Sequence, residues 1–191
     1  APVQCEFQPL LDPKSPSVCG KGTKRKEIFS EEFTGGLKAW KASNVSVFGG
    51  STYPWKITSD APGGHGGKVA YAPDPVEGDC SGSTSDISSS DAITTPAIKL
   101  PAGAVRAPRL SFDHYVATEF GWDGGNVQIS INGGAFTTVP AAAYTFNVPT
   151  SINSAAQGNS NPLEGQDGFT GTDGGEVTGS WGQSQIDLAA A

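Results

Sequence analysis

No stretch of this chain sustains apolar side chains at i, i+3, i+4 and i+7 over successive turns, so an amphipathic helix is not its building block. Turn formers replace that pattern: 26 glycines and 14 prolines are spread over 191 residues and cut the chain into short runs. Those runs are rich in Thr, Val, Ser, Ile and aromatics, which suit a half-buried pleated surface. Eleven strand candidates result: 28–33, 36–40, 45–48, 53–58, 68–72, 92–100, 109–118, 126–131, 135–139, 143–147 and 180–188. The expected fold class is all-β, an antiparallel sandwich of jelly-roll type with long Gly/Ser/Asn-rich loops. The sharpest local signal is Asn132-Gly133-Gly134 between NVQISI and AFTTV, which predicts a hairpin.

Residues 1–26 read as an N-terminal arm and linker ending in the basic stretch GKGTKRK, and 27–191 as the sandwich. Cys5 and Cys19 bracket a proline-rich segment with no strand pattern, and a disulfide between them would order it, contributing about 3 kcal/mol. Cys80 is then left without a partner. Three loops are long: 59–67, 73–91 and 148–179.

Charge is divided along the chain. All twelve Lys and Arg lie at or before Arg109, and the final 82 residues carry eight acids and no base. Such a chain is a poor partner for nucleic acid, which needs a basic face. An acidic half without counter-charges also suits a bound cation. No apolar stretch approaches the ~18 residues that a membrane span requires. The start at Ala1 and the absence of Met read as a processed, secreted segment, and Asn44-Val45-Ser46 fits a glycosylation acceptor.

Catalytic patterns are missing. The two histidines, His65 and His114, stand outside any HExxH, and no GxSxG elbow surrounds the many serines. Glu31 and Glu32 are adjacent and would face opposite sides of a strand, while Asp113 and Glu119 are separated by a strand end. A paired-carboxylate glycosidase site is not formed that way. The expectation is a non-enzyme.

Oxygen ligands for calcium cluster in two loops. One is EFGWDGGN, with Glu119, Asp123 and carbonyls made accessible by glycine turns; the other is GQDGFTGTDGGE, with Asp167, Asp173 and Glu176. Neither has EF-hand spacing, and the same acids suit acceptance from turn amides. Trp40 and Trp55 read as core. Trp122 and Trp181 read either as ligand-binding aromatics, able to stack on a sugar or anchor a protein, or as caps on the sandwich.

The stretch LSFDHYVATEFGWDGGNVQISINGG resembles a non-catalytic β-sandwich module of secreted bacterial peptidases of the fungalysin, thermolysin and immune inhibitor A types. It is also similar to cleaved-adhesin domains and, more distantly, to MAM-type jelly rolls. FSEEFTGGLKAW, ITTPAIKLP, GNSNPLEGQDGFTGTDGG and GSWGQSQIDL extend the likeness over roughly 28–188. The resemblance implies a jelly roll, often calcium-stabilised, that aids substrate or surface recognition, and it adds Glu32 to the candidate ligands. The alternative it leaves is a stand-alone adhesin-type domain binding host or matrix protein or carbohydrate. In that family SQIDL is followed by further strands. The expectation is therefore a sheet completed by self-association or by a C-terminal strand from another chain.

Overall fold

The computed structural model describes residues 15–19, 21–22, 24–46, 52–73, 86–100, 108–171 and 180–191. The chain is all-β: the described residues form eleven short strands and three single-turn 3-10 helices, every strand pair antiparallel. The described strands form five small sheets. β1 (Lys41–Ser46) pairs with β4 (Ser89–Thr94), and β2 (Lys56–Thr58) with β3 (Val69–Tyr71). β6 (Gln128–Ile129) pairs with β7 (Thr137–Thr138), and β9 (Thr150–Ser151) with β10 (Asp167–Gly168). The one three-stranded sheet has the order β5 (Arg109–Val116), β11 (Ser180–Asp187), β8 (Tyr144–Phe146).

That sheet organises the rest. β5 and β11 stay in register over eight residue pairs, from Ser180 opposite Val116 to Asp187 opposite Arg109, where the two side chains form an ion pair. Strand alternation places Leu110 and Phe112 on one face with Ser184 and Ile186. This face packs on the core of Val139, Ala143, Tyr144 and Ile186, joined by Val127, Ile129, Phe169 and Leu188. Ile186 is fully buried, and removing its side chain from water contributes about 2 kcal/mol. Phe169 meets Phe112 and Tyr144 edge-on, with centroids 6.0 and 5.9 Å apart. Burial, with Asp167 nearby, pushes the Tyr144 phenol up to about 12.

The opposite face of β11 is covered as well. Trp181 donates from Nε1 to the Pro62 carbonyl at 2.6 Å, and Gln185 donates to the Pro16 carbonyl at 2.7 Å. A strand covered on both faces explains how a polar sequence, SWGQSQID, is buried: Ser184 and Gln185 have their hydrogen bonds made within the protein.

Two expected strands are absent. Residues 28–32 have no ladder partners among the described residues, and 33–40 are turns and bends, with Phe33 at φ 52°. The carboxylate of Glu31 explains why: Oε1 accepts from the Phe33 amide at 2.6 Å and Oε2 from Trp40 Nε1 at 3.1 Å. A local cap thus takes the place of a ladder. Phe29 and Phe33 pack on Trp40, which is half-buried and lies outside the main core cluster that the sequence expected it to join. The expected strand 92–100 starts earlier, at Ser89, and ends before the Pro96 ring that cannot donate. The expected loop 148–179 contains β9 and β10. The hairpin at Asn132-Gly133 is present: both residues have positive φ (54° and 77°), and Gly134 donates to Ile131 at 3.0 Å. That is the type I′ geometry the pair of residues predicts.

Candidate functional site

EFGWDGGN leaves β5 and folds into a tight knot against the chain from Ile152 to Gly171. Its first turn is closed by the Glu119 carbonyl, which accepts from the amides of Trp122 and Asp123, both at 3.1 Å. Gly121 sits at φ 80°, and a Cβ there would lie 2.7 Å from the Asn153 amide, so only glycine fits. Gly124 is equally constrained: a Cβ would be driven into the Phe169 carbonyl, against which Gly125 forms a two-way bridge (3.0 and 2.7 Å).

Asparagine side chains hold the knot. Asn159 is 3% exposed, and its Nδ2 donates to the carbonyls of Gly121 (3.1 Å), Asn153 (3.1 Å) and, at 3.4 Å, Trp122. Its Oδ1 accepts from the Asn161 amide at 2.8 Å. Asn161 repeats the device, donating to Trp122 at 3.0 Å and accepting from Leu163 at 2.8 Å. Hydroxyls complete it. Thr170 accepts from Gly121 and donates to the Glu119 carbonyl, while Thr118 donates to the Asp123 carbonyl. A primary amide suits this position because it offers two donors and an acceptor with no charge to desolvate.

The platform carries Phe120 at its tip, 63% exposed, next to a half-buried Trp122. Of the residues singled out from sequence, Glu119, Trp122 and Asp123 are brought together here. Others lie elsewhere. Glu32 is exposed in the segment before Trp40. Asp167 is on β10, where Oδ2 accepts from the Ala141 amide at 2.9 Å and Oδ1 from Ser151 at 3.4 Å. Trp181 is 9% exposed, its ring stacked on His65 at 4.1 Å and packed on Tyr115 at 5.6 Å, so it caps the sheet and offers no free face to a sugar. Asp173, Glu176, Cys5 and Cys80 lie outside the described residues; Cys19 is half-buried and unbonded among them.

Among the described residues no three His, Cys, Asp or Glu side chains converge as metal ligands. The loop carbonyls expected to serve calcium already accept from protein donors, and the asparagines that meet them present N–H groups.

One pair does resemble a nucleophile and its base. His114 Nε2 lies 2.9 Å from Ser184 Oγ. Ser184 is 0% exposed, however, and donates its proton to the Asn147 carbonyl at 2.9 Å. Nε2 therefore faces a hydroxyl whose proton goes to another acceptor, and the buried Nδ1 has no partner, so the imidazole is not set to take the Ser184 proton. Gly182 stands directly opposite His114, and a Cβ there would come within 3.0 Å of the Asn147 amide, which itself lies 3.3 Å from His114 Nε2. Desolvation against Phe169 and its neighbours lowers the His114 pKa to about 4, opposed only in part by Asp113. Sequence reasoning missed this pair because 70 residues separate its members.

No helix among the described residues is long and apolar enough to cross a membrane. Comparison with protein-family models, with curated proteins and with solved structures finds no match.

Proposed function

We propose that this chain is a secreted, non-catalytic recognition module of the kind that accompanies peptidases, using the EFGWDGGN knot to engage the protein or carbohydrate surface of a substrate. The observation that carries the reading is the pairing of a rigid loop with an exposed aromatic: Phe120 is 63% exposed on a backbone pinned by Asn159, Asn161, Thr118 and Thr170. Immobilised aromatics bind at low entropic cost because little freedom remains to be lost. The burial of Ser184 supports the non-catalytic half of the proposal, since its hydroxyl meets no solvent.

The test is retention on immobilised matrix proteins and glycans. Phe120→Ala is expected to weaken binding by about tenfold, roughly 1.4 kcal/mol, with an unchanged melting temperature. Binding untouched by this substitution, or hydrolysis of the retained material by the chain itself, would overturn the reading. Trp122→Ala then separates the two aromatics.

The calcium expectation rests on the acids of the two loops and on the family resemblance, and among the described residues no three His, Cys, Asp or Glu side chains converge on one point. Melting temperature is accordingly expected to be indifferent to calcium and to a chelator. A bound ion at a hundredfold excess over its dissociation constant would add about 2.7 kcal/mol, an effect that thermal unfolding resolves easily.

A further inference from the structure

The chain contains seven asparagines, and six of them are followed by Val, Ser or Pro. Asn132 alone precedes glycine. Both residues of Asn132-Gly133 are exposed and form the centre of the turn in the connection between β6 and β7. The Asn132 side chain makes no hydrogen bond among the described residues. By contrast Asn126, Asn147, Asn153, Asn159 and Asn161 are each held by side-chain hydrogen bonds.

We propose that Asn132 is a site of spontaneous covalent modification, deamidating through a cyclic imide with Gly133. The Gly133 backbone nitrogen, with no Cβ beside it to obstruct approach, attacks Cγ of Asn132. The N–Cγ bond forms, the Cγ–Nδ2 bond breaks, and the side-chain nitrogen leaves as ammonia with the proton from Gly133. Water then opens the ring at either carbonyl and leaves aspartate or isoaspartate at position 132. No co-reactant other than water is needed.

Two features of the fold bear on the rate. In the closed hairpin Asn132 is held at φ 54°, with Gly134 bonded to Ile131, so the attack requires local opening. The hairpin ladder is only two residue pairs, Gln128 with Thr138 and Ile129 with Thr137, and every residue from Ile131 to Thr137 is exposed. Such a short hairpin opens at little cost. Asp123-Gly124 and Asp167-Gly168 have the same following residue but lie in the bridged knot and in β10. A carboxylate is also a poorer electrophile than a side-chain amide for this attack.

The consequence is a one-way change at the hairpin tip. Either product adds a negative charge to a chain whose formal charge is −7. Isoaspartate also lengthens the backbone by one methylene, which removes the geometry that brings Gly134 to the Ile131 carbonyl.

The full chain, incubated at physiological temperature and mildly alkaline pH, is digested with chymotrypsin, because no Lys or Arg after Arg109 offers trypsin a cut. A gain of one mass unit is expected at Asn132, severalfold faster than at any other asparagine and faster still as pH rises. Asn132→Gly keeps a residue suited to positive φ and is expected to abolish the gain. Hydrogen exchange at Gly134 should quicken in the aged wild type and remain constant in the variant. A mass gain concentrated at another asparagine, or none at Asn132 while a peptide of residues 126–138 deamidates, would overturn the proposal.

Discussion

Acidifying the protein from pH 6.5 to about 4 is expected to remove about 3 kcal/mol of stability through His114 alone. The folded pKa lies near 4 and the ordinary value is 6.5, so between them the unfolded chain binds more protons than the folded one. Stability from this residue is complete above pH 6.5 and is lost as pH falls through about 4. The cause is geometric. Protonation would place a charge on Nδ1, which is buried without an acceptor, while Nε2 is already committed to Ser184. Urea unfolding of the wild type and of His114→Gln across this range is the check. Carboxylates contribute to acid unfolding in both proteins; Asp187, for instance, is held below the usual carboxylate range by Arg109 and by the Ala189 amide. The difference between the two curves isolates the histidine. Parallel curves would show that the imidazole is hydrated in solution.

Asn159→Ala is expected to cost a similar amount, about 3 kcal/mol, because one buried side chain serves several backbone groups. The Gly121 carbonyl retains the Asn153 amide and the Trp122 carbonyl retains Asn161, which keeps the loss below a simple sum. The Asn153 carbonyl likewise keeps the Gly165 amide, whereas the Asn161 amide has no such second partner. The effect should be localised: hydrogen exchange at Trp122 and Asp123 should accelerate more than in β5 or β11. Asn159→Asp is an informative companion, since it keeps the shape and the acceptor but replaces the donors with a charge. If it were tolerated as well as wild type, the amide donors would not be what holds the loop.

How much of this was legible depended on the range of the interaction. The hairpin at Asn132-Gly133 could be read because its positive φ values are a property of those two residues. β5 and β11 could be placed to within two residues because alternation and flanking glycines act locally. Residues 28–33 misled for the converse reason: IFSEEF alternates, yet Glu31 uses its carboxylate on Phe33 and Trp40 instead of leaving the backbone to a ladder. At EFGWDGGN the turn was legible from its glycines, whereas its fixation was not. Asn159 and Asn161 look like loop surface in sequence, and their acceptors lie 38 and 39 residues away. The burial of Trp181 was hidden for the same reason, its indole partner Pro62 being 119 residues distant.

The separations that obscured these contacts also set the tempo of folding. β11 is zipped to β5 across about seventy residues, and Gln185 reaches back 169 positions to Pro16. Little local structure can form in advance, because the helices among the described residues are single turns of three residues. The entropy of closing large loops must be met before the ladder returns any enthalpy. A chain wired this way belongs with the slow all-β folders, on the order of milliseconds to seconds. Until β11 docks, Tyr144, Val139 and Phe112 lack their cover, and the interval is a window for misassociation that a helical protein of equal length would pass quickly.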